Sequence, residues 1–317
     1  MLADNVENLM KGNRCAIVVI WDEAGSLPSY MKLYVEKLLE VCNRVIVVFN
    51  GKCSDNAQRQ IRELGEGRAE CLSRDNTGYD FAAYQYGLKH LGLDRLTFYD
   101  QIILCNSSCY GPVFSLKDMF NSMSKKNVDF WGITQWIGPS WPTHIQSYFY
   151  VFNKSILMSK QFRTYWENLL LVKTRFEAIV CLESRLTRHF ESYGFKWSCY
   201  LPKEKYYPYS SDCTMDVDSF FGLLKQGMPF IKRKLVFQLS ETGKVIDLFA
   251  FLRLHGYPIE VITEDLYANK ISLTHHLNLS SIKKKPRKRR LLVILKRRLS
   301  QEFIYLKVRL RSFFKID

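Results

Sequence analysis

Arg74-Asp75-Asn76-Thr77-Gly78-Tyr79-Asp80-Phe81 and, further along, Ile102-Ile103-Leu104-Cys105-Asn106-Ser107-Ser108-Cys109-Tyr110-Gly111-Pro112 decide the reading of this chain. In both, a charged or apolar lead-in runs straight into short polar side chains and glycine. A parallel α/β sheet presents ligand-binding groups at its strand ends in this way. Outward from these stretches, Cys15 to Trp21 and Val45 to Phe49 are unbroken apolar, β-rich runs. Between them Ser29 to Cys42 carries apolar residues at 31, 34, 35, 38, 39 and 42. That spacing is helical, so the first fifty or so residues read as a β-α-β unit with a buried parallel pair, a Rossmann-like start.

The same reading continues with a helix at Asn56 to Leu64, a strand near Ala69 to Leu72, a helix from Phe81 to Leu91 and a strand at Gln101 to Leu104. Val128 to Thr134 and Ser147 to Phe152 read as strands. Ser159 to Leu171, Ala178 to Ser192 and Thr214 to Lys225 read as helices, the second stopped by Tyr193-Gly194.

The chain has 317 residues, 47% of them hydrophobic, enough for a full core in one large domain or two moderate ones. Its net charge of +15 is concentrated at one end. Residues 283 to 315 hold fourteen Lys or Arg against one acid, Glu302, and the remainder is nearly neutral. The expected division is therefore 1–282 as the catalytic-type domain and 283–317 as a basic linker and helix. Nine irregularly spaced cysteines without a CxxC pair argue for a reducing cytosol and against a zinc site. The first thirteen residues lack the pattern of a secretory signal, and no apolar window reaches the ~18 residues that a spanning helix needs.

Strand-end loops that hold a base, a diphosphate and a sugar use carboxamides, backbone amides and an acid. Asn50-Gly51 suits a base or ribose edge, and Asn76, Gly78 and Asp80 suit a sugar and phosphates. Each pair alone reads first as an ordinary turn. Their recurrence at successive strand ends of one sheet favours a nucleotide-sugar site.

Five stretches resemble the rhamnan synthesis protein F family of glycosyltransferases: Asn76-Thr77-Gly78-Tyr79-Asp80-Phe81-Ala82-Ala83-Tyr84, Asn106 to Pro112, Asp129 to Thr134, His144 to Phe149 and Met228 to Arg233. The resemblance spans roughly residues 14 to 237. It implies a GT-A-like nucleotide-diphospho-sugar fold and transfer of a sugar, commonly rhamnose from dTDP-rhamnose, to a growing surface polysaccharide. It also implies Mg or Mn on the diphosphate. Where the family usually carries the metal-binding acid, however, this chain has Ser107, a poor ligand for a hard divalent cation. Three alternatives stand: Asp80 supplies the charge, cationic side chains do so, or activity has been lost.

By the same analogy Glu183, in Cys181-Leu182-Glu183-Ser184-Arg185-Leu186-Thr187-Arg188, is the candidate general base of an inverting single displacement. The competing reading is a helix-surface glutamate beside Arg185, Thr187 and Arg188. His144 and Gln146 are candidates to reach the sugar or acceptor, against a structural role for a loop histidine. Lys232 and Arg233 are candidates to neutralise the diphosphate, against a solvated basic pair. Trp131, Trp136 and Trp141 are candidates to stack on a sugar, with burial the stronger expectation for Trp131.

Within Leu291 to Phe314, apolar residues fall at 292, 295, 299, 303, 306, 310 and 313, with Lys and Arg between them. This is a cationic amphipathic helix suited to an anionic lipid interface, and packing onto the protein is the alternative. Its Leu, Ile and Phe face suits lipid better than nucleic acid, so no nucleic-acid partner is expected. The expected setting is peripheral, on the cytoplasmic face of the cell membrane, with a nucleotide-sugar donor and a lipid-linked glycan acceptor. The rival class is a non-catalytic carbohydrate-binding or assembly subunit that keeps the scaffold.

Overall fold

The computed structural model describes residues 12–202, 204, 212–241, 243–271 and 290–314, the side chains of 290–299 and 314 excepted. The N-terminal reading and the 282/283 boundary lie outside the described residues. In chain order, β1 (Arg14–Ile20), α1 (Ser29–Leu39), β2 (Arg44–Asn50), α2 (Asp55–Leu64), β3 (Ala69–Arg74), α3 (Tyr79–Leu91) and β4 (Gln101–Asn106) form the first half. There follow β5 (Cys109–Tyr110), α4 (Leu116–Ser124), β6 (Phe130–Gly132), β7 (Gln135–Trp136), β8 (His144–Ile145) and β9 (Phe149–Asn153). Helices α5 (Lys154–Leu157), α6 (Lys160–Glu167) and α7 (Arg175–Ala178) lead into a π-turn (Ile179–Glu183) and α8 (Ser184–Glu191). The last elements are β10 (Trp197–Cys199), α9 (Val217–Leu224), β11 (Ile231–Lys232), α10 (Arg233–Glu241), α11 (Val245–Leu254), α12 (Glu260–Ala268) and α13 (Arg290–Phe314).

One seven-stranded sheet has the order β10-β6-β9-β4-β1-β2-β3. All neighbours are parallel except β9, which runs antiparallel to both β4 and β6. The fold is thus mixed α/β with a mostly parallel central sheet, as the opening β-α-β pattern led one to expect. Because side chains alternate along a strand, β1 feeds two cores. Ala16, Val18 and Ile20 face α1, α4 and the C-terminal helices, while Cys15, Ile17 and Val19 face α3, α6 and α8. Gly87 of α3 meets that second face so closely that an added Cβ would lie 2.7 Å from Ile17 Cγ2.

From β1 the chain winds outward through β2 and β3, then returns to place β4 on the other side of β1. The crevice between the C-terminal ends of β1 and β4 is therefore the topological switch point, where open α/β sheets bind ligands. Trp21, Asn50 and Ser107 sit at or just beyond the ends of β1, β2 and β4.

The expected separate tail is corrected in part. Helix α13 lies against the body: Val308 is fully buried in the second core, Arg311 pairs with Glu177 at 2.9 Å, and Arg185 pairs with Glu302 at 2.7 Å. The segment read as one helix from Ala178 to Ser192 is instead broken by the π-turn. Helices α10, α11 and α12 carry no counterpart in the sequence reading.

Candidate functional site

The site begins at the left-handed entry to α3. Gly78 (φ +75°) and Tyr79 (φ +58°) adopt positive φ in succession. The first suits glycine and the second is strained for tyrosine. This kink turns the chain so that Asp80, in the first turn of α3, faces the end of β4. Asn106 is committed on both sides: its Nδ2 donates to Asp80 Oδ2 at 2.9 Å, and its Oδ1 accepts from the N–H and the hydroxyl of Ser108 at 3.1 and 2.6 Å. Arg74 ties the neighbouring loops together, donating to the Asn50 carboxamide and to the carbonyl of Thr77.

A second set of contacts brings distant sequence to the same place. β5 pairs antiparallel with β11, and Arg233 N–H donates to the Ser108 carbonyl at 3.0 Å. Gly111 (φ +134°) permits this approach, since a Cβ there would lie 2.4 Å from the Pro229 carbonyl oxygen. Lys232 consequently reaches the cleft, with Nζ 4.1 Å from the centre of the Tyr148 ring. On the far side the π-turn delivers Glu183, whose Oε1 accepts from Ser147 N–H at 3.1 Å. Thr187, one turn on, accepts from Ile145 N–H at 3.0 Å and locks α8 to β8. A single inserted backbone residue is a common way to aim a side chain at a functional site.

These groups line a cleft of about 510 Å³, a size suited to a small ligand. Asn50, Asn76, Asp80, Asn106, Ser107, Glu183, Lys232 and Arg233 all border it. Asp80 and Glu183 are its two carboxylates. Burial, then repulsion from Glu183, pushes the Asp80 carboxyl up to about 6, against the opposing pull of Lys232, Arg175 and the Asn106 hydrogen bond.

Some candidates stand elsewhere. Gly78 shapes the loop without bordering the cleft. His144 is buried, stacked on Trp136, with Nδ1 bonded to the Pro142 carbonyl at 2.6 Å, and burial lowers its basicity. Gln146 is spent on Thr134, Asp212 and Thr214. Both are interior groups, because β7 and β8 fold the predicted loop inward. Arg233 borders the cleft, yet its guanidinium is held by Asp265 through two bonds of 2.8 Å, so Lys232 is the freer cation. Trp131 is core, and Trp141 packs on Phe176. Of the partners in the surface-glutamate alternative for Glu183, Arg185 points away to Glu302 and Tyr305 and Thr187 is bonded to Ile145 N–H. Several lining residues were not among the candidates, Trp21, Ser147 and Arg175 chief among them. Trp21 is 57% exposed at the strand end, and an aromatic ending an apolar run was the available signal.

The residues present do not compose a hard-cation site. Each of the cleft's two carboxylates already accepts a hydrogen bond, Asp80 from Asn106 and Glu183 from Ser147, and Ser107 offers only a hydroxyl. Among the described residues no group of three or more His, Cys, Asp or Glu comes together to hold a metal.

The sequence model of rhamnan synthesis protein F matches residues 45–297. An uncharacterized Sinorhizobium fredii protein, y4gN, is 28% identical over 193 residues, covering 60% of this chain and 49% of its own length. The chain thus spans about half the length of that curated relative. Among solved structures, the glycosyltransferase GlyE of Streptococcus pneumoniae aligns over 82% of this chain and 64% of its own, with TM-score 0.42 and 12% identity. TarS of S. aureus in complex with UDP aligns over 46% and 48%, with TM-score 0.33 and 10% identity. At scores of this size the likeness adds nothing to what the sheet itself shows. By the sequence match over most of its length, this chain belongs to the rhamnan synthesis protein F family.

Proposed function

We propose that the chain is a glycosyltransferase that takes a sugar from a nucleotide-diphospho-sugar in the switch-point cleft and passes it to an acceptor hydroxyl. The observation that carries this reading is the convergence of Glu183, Asp80 and Lys232 on one cleft from three distant stretches of sequence. Glu183 removes the acceptor proton as the acceptor oxygen attacks the anomeric carbon. The bond from that carbon to the diphosphate oxygen breaks, the configuration inverts, and Lys232 with Arg175 offsets the charge left on the diphosphate. Ser147 N–H holds the Glu183 carboxylate in place for this role. The rhamnan of the family's description supports rhamnose as the sugar; dTDP as its carrier and a lipid-linked surface glycan as the acceptor complete the proposal.

Melting temperature against a panel of nucleotide sugars, with and without Mg²⁺ or Mn²⁺, tests the reading, because a ligand of the native state alone raises it. Stabilisation by one donor, dTDP-rhamnose first, is expected, and no stabilisation by any donor overturns the reading. Ser107 favours a second reading, a carbohydrate-binding subunit on the same scaffold. It predicts glycan binding without release of nucleotide from any donor.

A further inference from the structure

The docking of α13 leaves its apolar stripe outside. Gln301 and Val308 are buried against the body and Arg311 is tied to Glu177, whereas Phe303, Leu306, Leu310 and Phe313 are 70, 56, 59 and 81% exposed. Their spacing of three, four and three residues makes one continuous ridge on a helix. Leu171, 54% exposed, extends it, since its backbone N–H bonds Ser312 Oγ at 2.9 Å. Exposed Lys307 and Arg309 flank the ridge, and neither has a carboxylate partner among the described residues. Beside it opens a second cleft of about 560 Å³ between α6, α8 and α13. Lys160, His189 and Arg309 border this cleft together with Tyr165 and Leu170 and with Arg185, which is paired to Glu302, and no acid lines it.

We infer that this face is a docking surface for an anionic phospholipid bilayer: the ridge enters the interface and the acid-free cleft takes a headgroup phosphate. An apolar ridge between cations is the pattern of an interfacial helix, and the cationic cleft adds the complement to a negative leaflet. The same charges oppose a second copy of this chain on this face, because the ridge would bring Lys307 and Arg309 against themselves. Docking is rigid with respect to the substrate cleft. Helix α13 packs on α7 and the π-turn, the segment that carries Glu183 on its other side, so the bilayer sets the orientation of that cleft. Such docking is independent of sugar transfer.

The test is sedimentation of the full chain with vesicles of phosphatidylcholine alone and with about a third phosphatidylglycerol, in low salt. The wild type is expected to pellet with the anionic vesicles and at least about tenfold less with the neutral ones. The exposed triple variant Phe303→Ser, Leu306→Ser, Leu310→Ser should lose at least about tenfold in partitioning with an unchanged melting temperature. Lys160→Glu with Arg309→Glu should lose about tenfold on anionic vesicles only. A wild type left in the supernatant, or a triple variant that binds like the wild type, overturns the inference. So does a wild-type dimer in the absence of vesicles that the triple variant converts to monomer, which assigns the ridge to a second copy. Unchanged binding by the charge-reversal pair removes the cleft from the proposal.

Discussion

Asp80→Asn isolates the electrostatic state of the substrate cleft. The amide has the shape of the carboxylate and its oxygen still accepts the Asn106 hydrogen bond, so packing is kept while the charge is removed. The folded carboxyl holds its proton up to about 6, against 3.8 ordinarily. Below pH 3.8 both folded and unfolded chains carry the proton and the site costs nothing. As pH rises through 6, the wild type must place a charge in the cleft that the unfolded chain places freely in water. The wild type therefore loses stability over this window relative to the variant. With about 1.4 kcal/mol for each pH unit between the two values, the ceiling is about 3 kcal/mol, and water at this half-buried group reduces it to about 1–3 kcal/mol. Urea denaturation of both proteins at pH 4.5 and pH 8 measures the difference. The variant should be the more stable at pH 8, with most of that advantage gone at pH 4.5. Parallel behaviour at the two pH values, or a less stable variant at pH 8, would refute the assignment of Asp80 as a strained carboxylate.

Three further substitutions test other parts of the architecture. Lys232→Met, which keeps the apolar stem over Tyr148 and removes the charge, should weaken donor affinity by about tenfold or more in calorimetry with little change in melting temperature. Gly111→Ala forces a Cβ against the Pro229 carbonyl at a φ that alanine avoids, and should cost more than about 3 kcal/mol in urea denaturation. Asp265→Ala strands the Arg233 guanidinium and the Tyr110 hydroxyl, both of which it now receives, and should cost about 3–5 kcal/mol by the same measurement.

The parallel half of the fold was legible because β1, β2 and β4 are buried on both faces, so their sequences are unbroken apolar runs with polar residues only at their ends. Those ends are also where Asn50, Asn76, Asp80 and Ser107 reach the cleft. Strand direction has no local signature, so nothing in Ser147 to Phe152 announced that β9 runs antiparallel between β4 and β6. The π-turn was equally silent, since one inserted residue leaves a helical apolar pattern intact across Ala178 to Ser192. Partners distant in sequence decided the remaining roles. Arg233 looked free until α12 supplied Asp265, and His144 and Gln146 looked like loop groups until β7 and β8 closed over them. The stripe in α13 showed which residues share an apolar face, but the face that packs on the body is the one carrying Val308, Glu302 and Arg311.

The central claim is that Glu183 acts as the base on a sugar donor held in the switch-point cleft. The most direct measurement is nucleotide release from the donor that stabilises the protein, with acceptor present, for the wild type and Glu183→Gln, alongside donor affinity for each. The variant should bind the donor within a few-fold of the wild type and turn it over at least about a hundredfold more slowly. Turnover by the variant at the wild-type rate would contradict the claim.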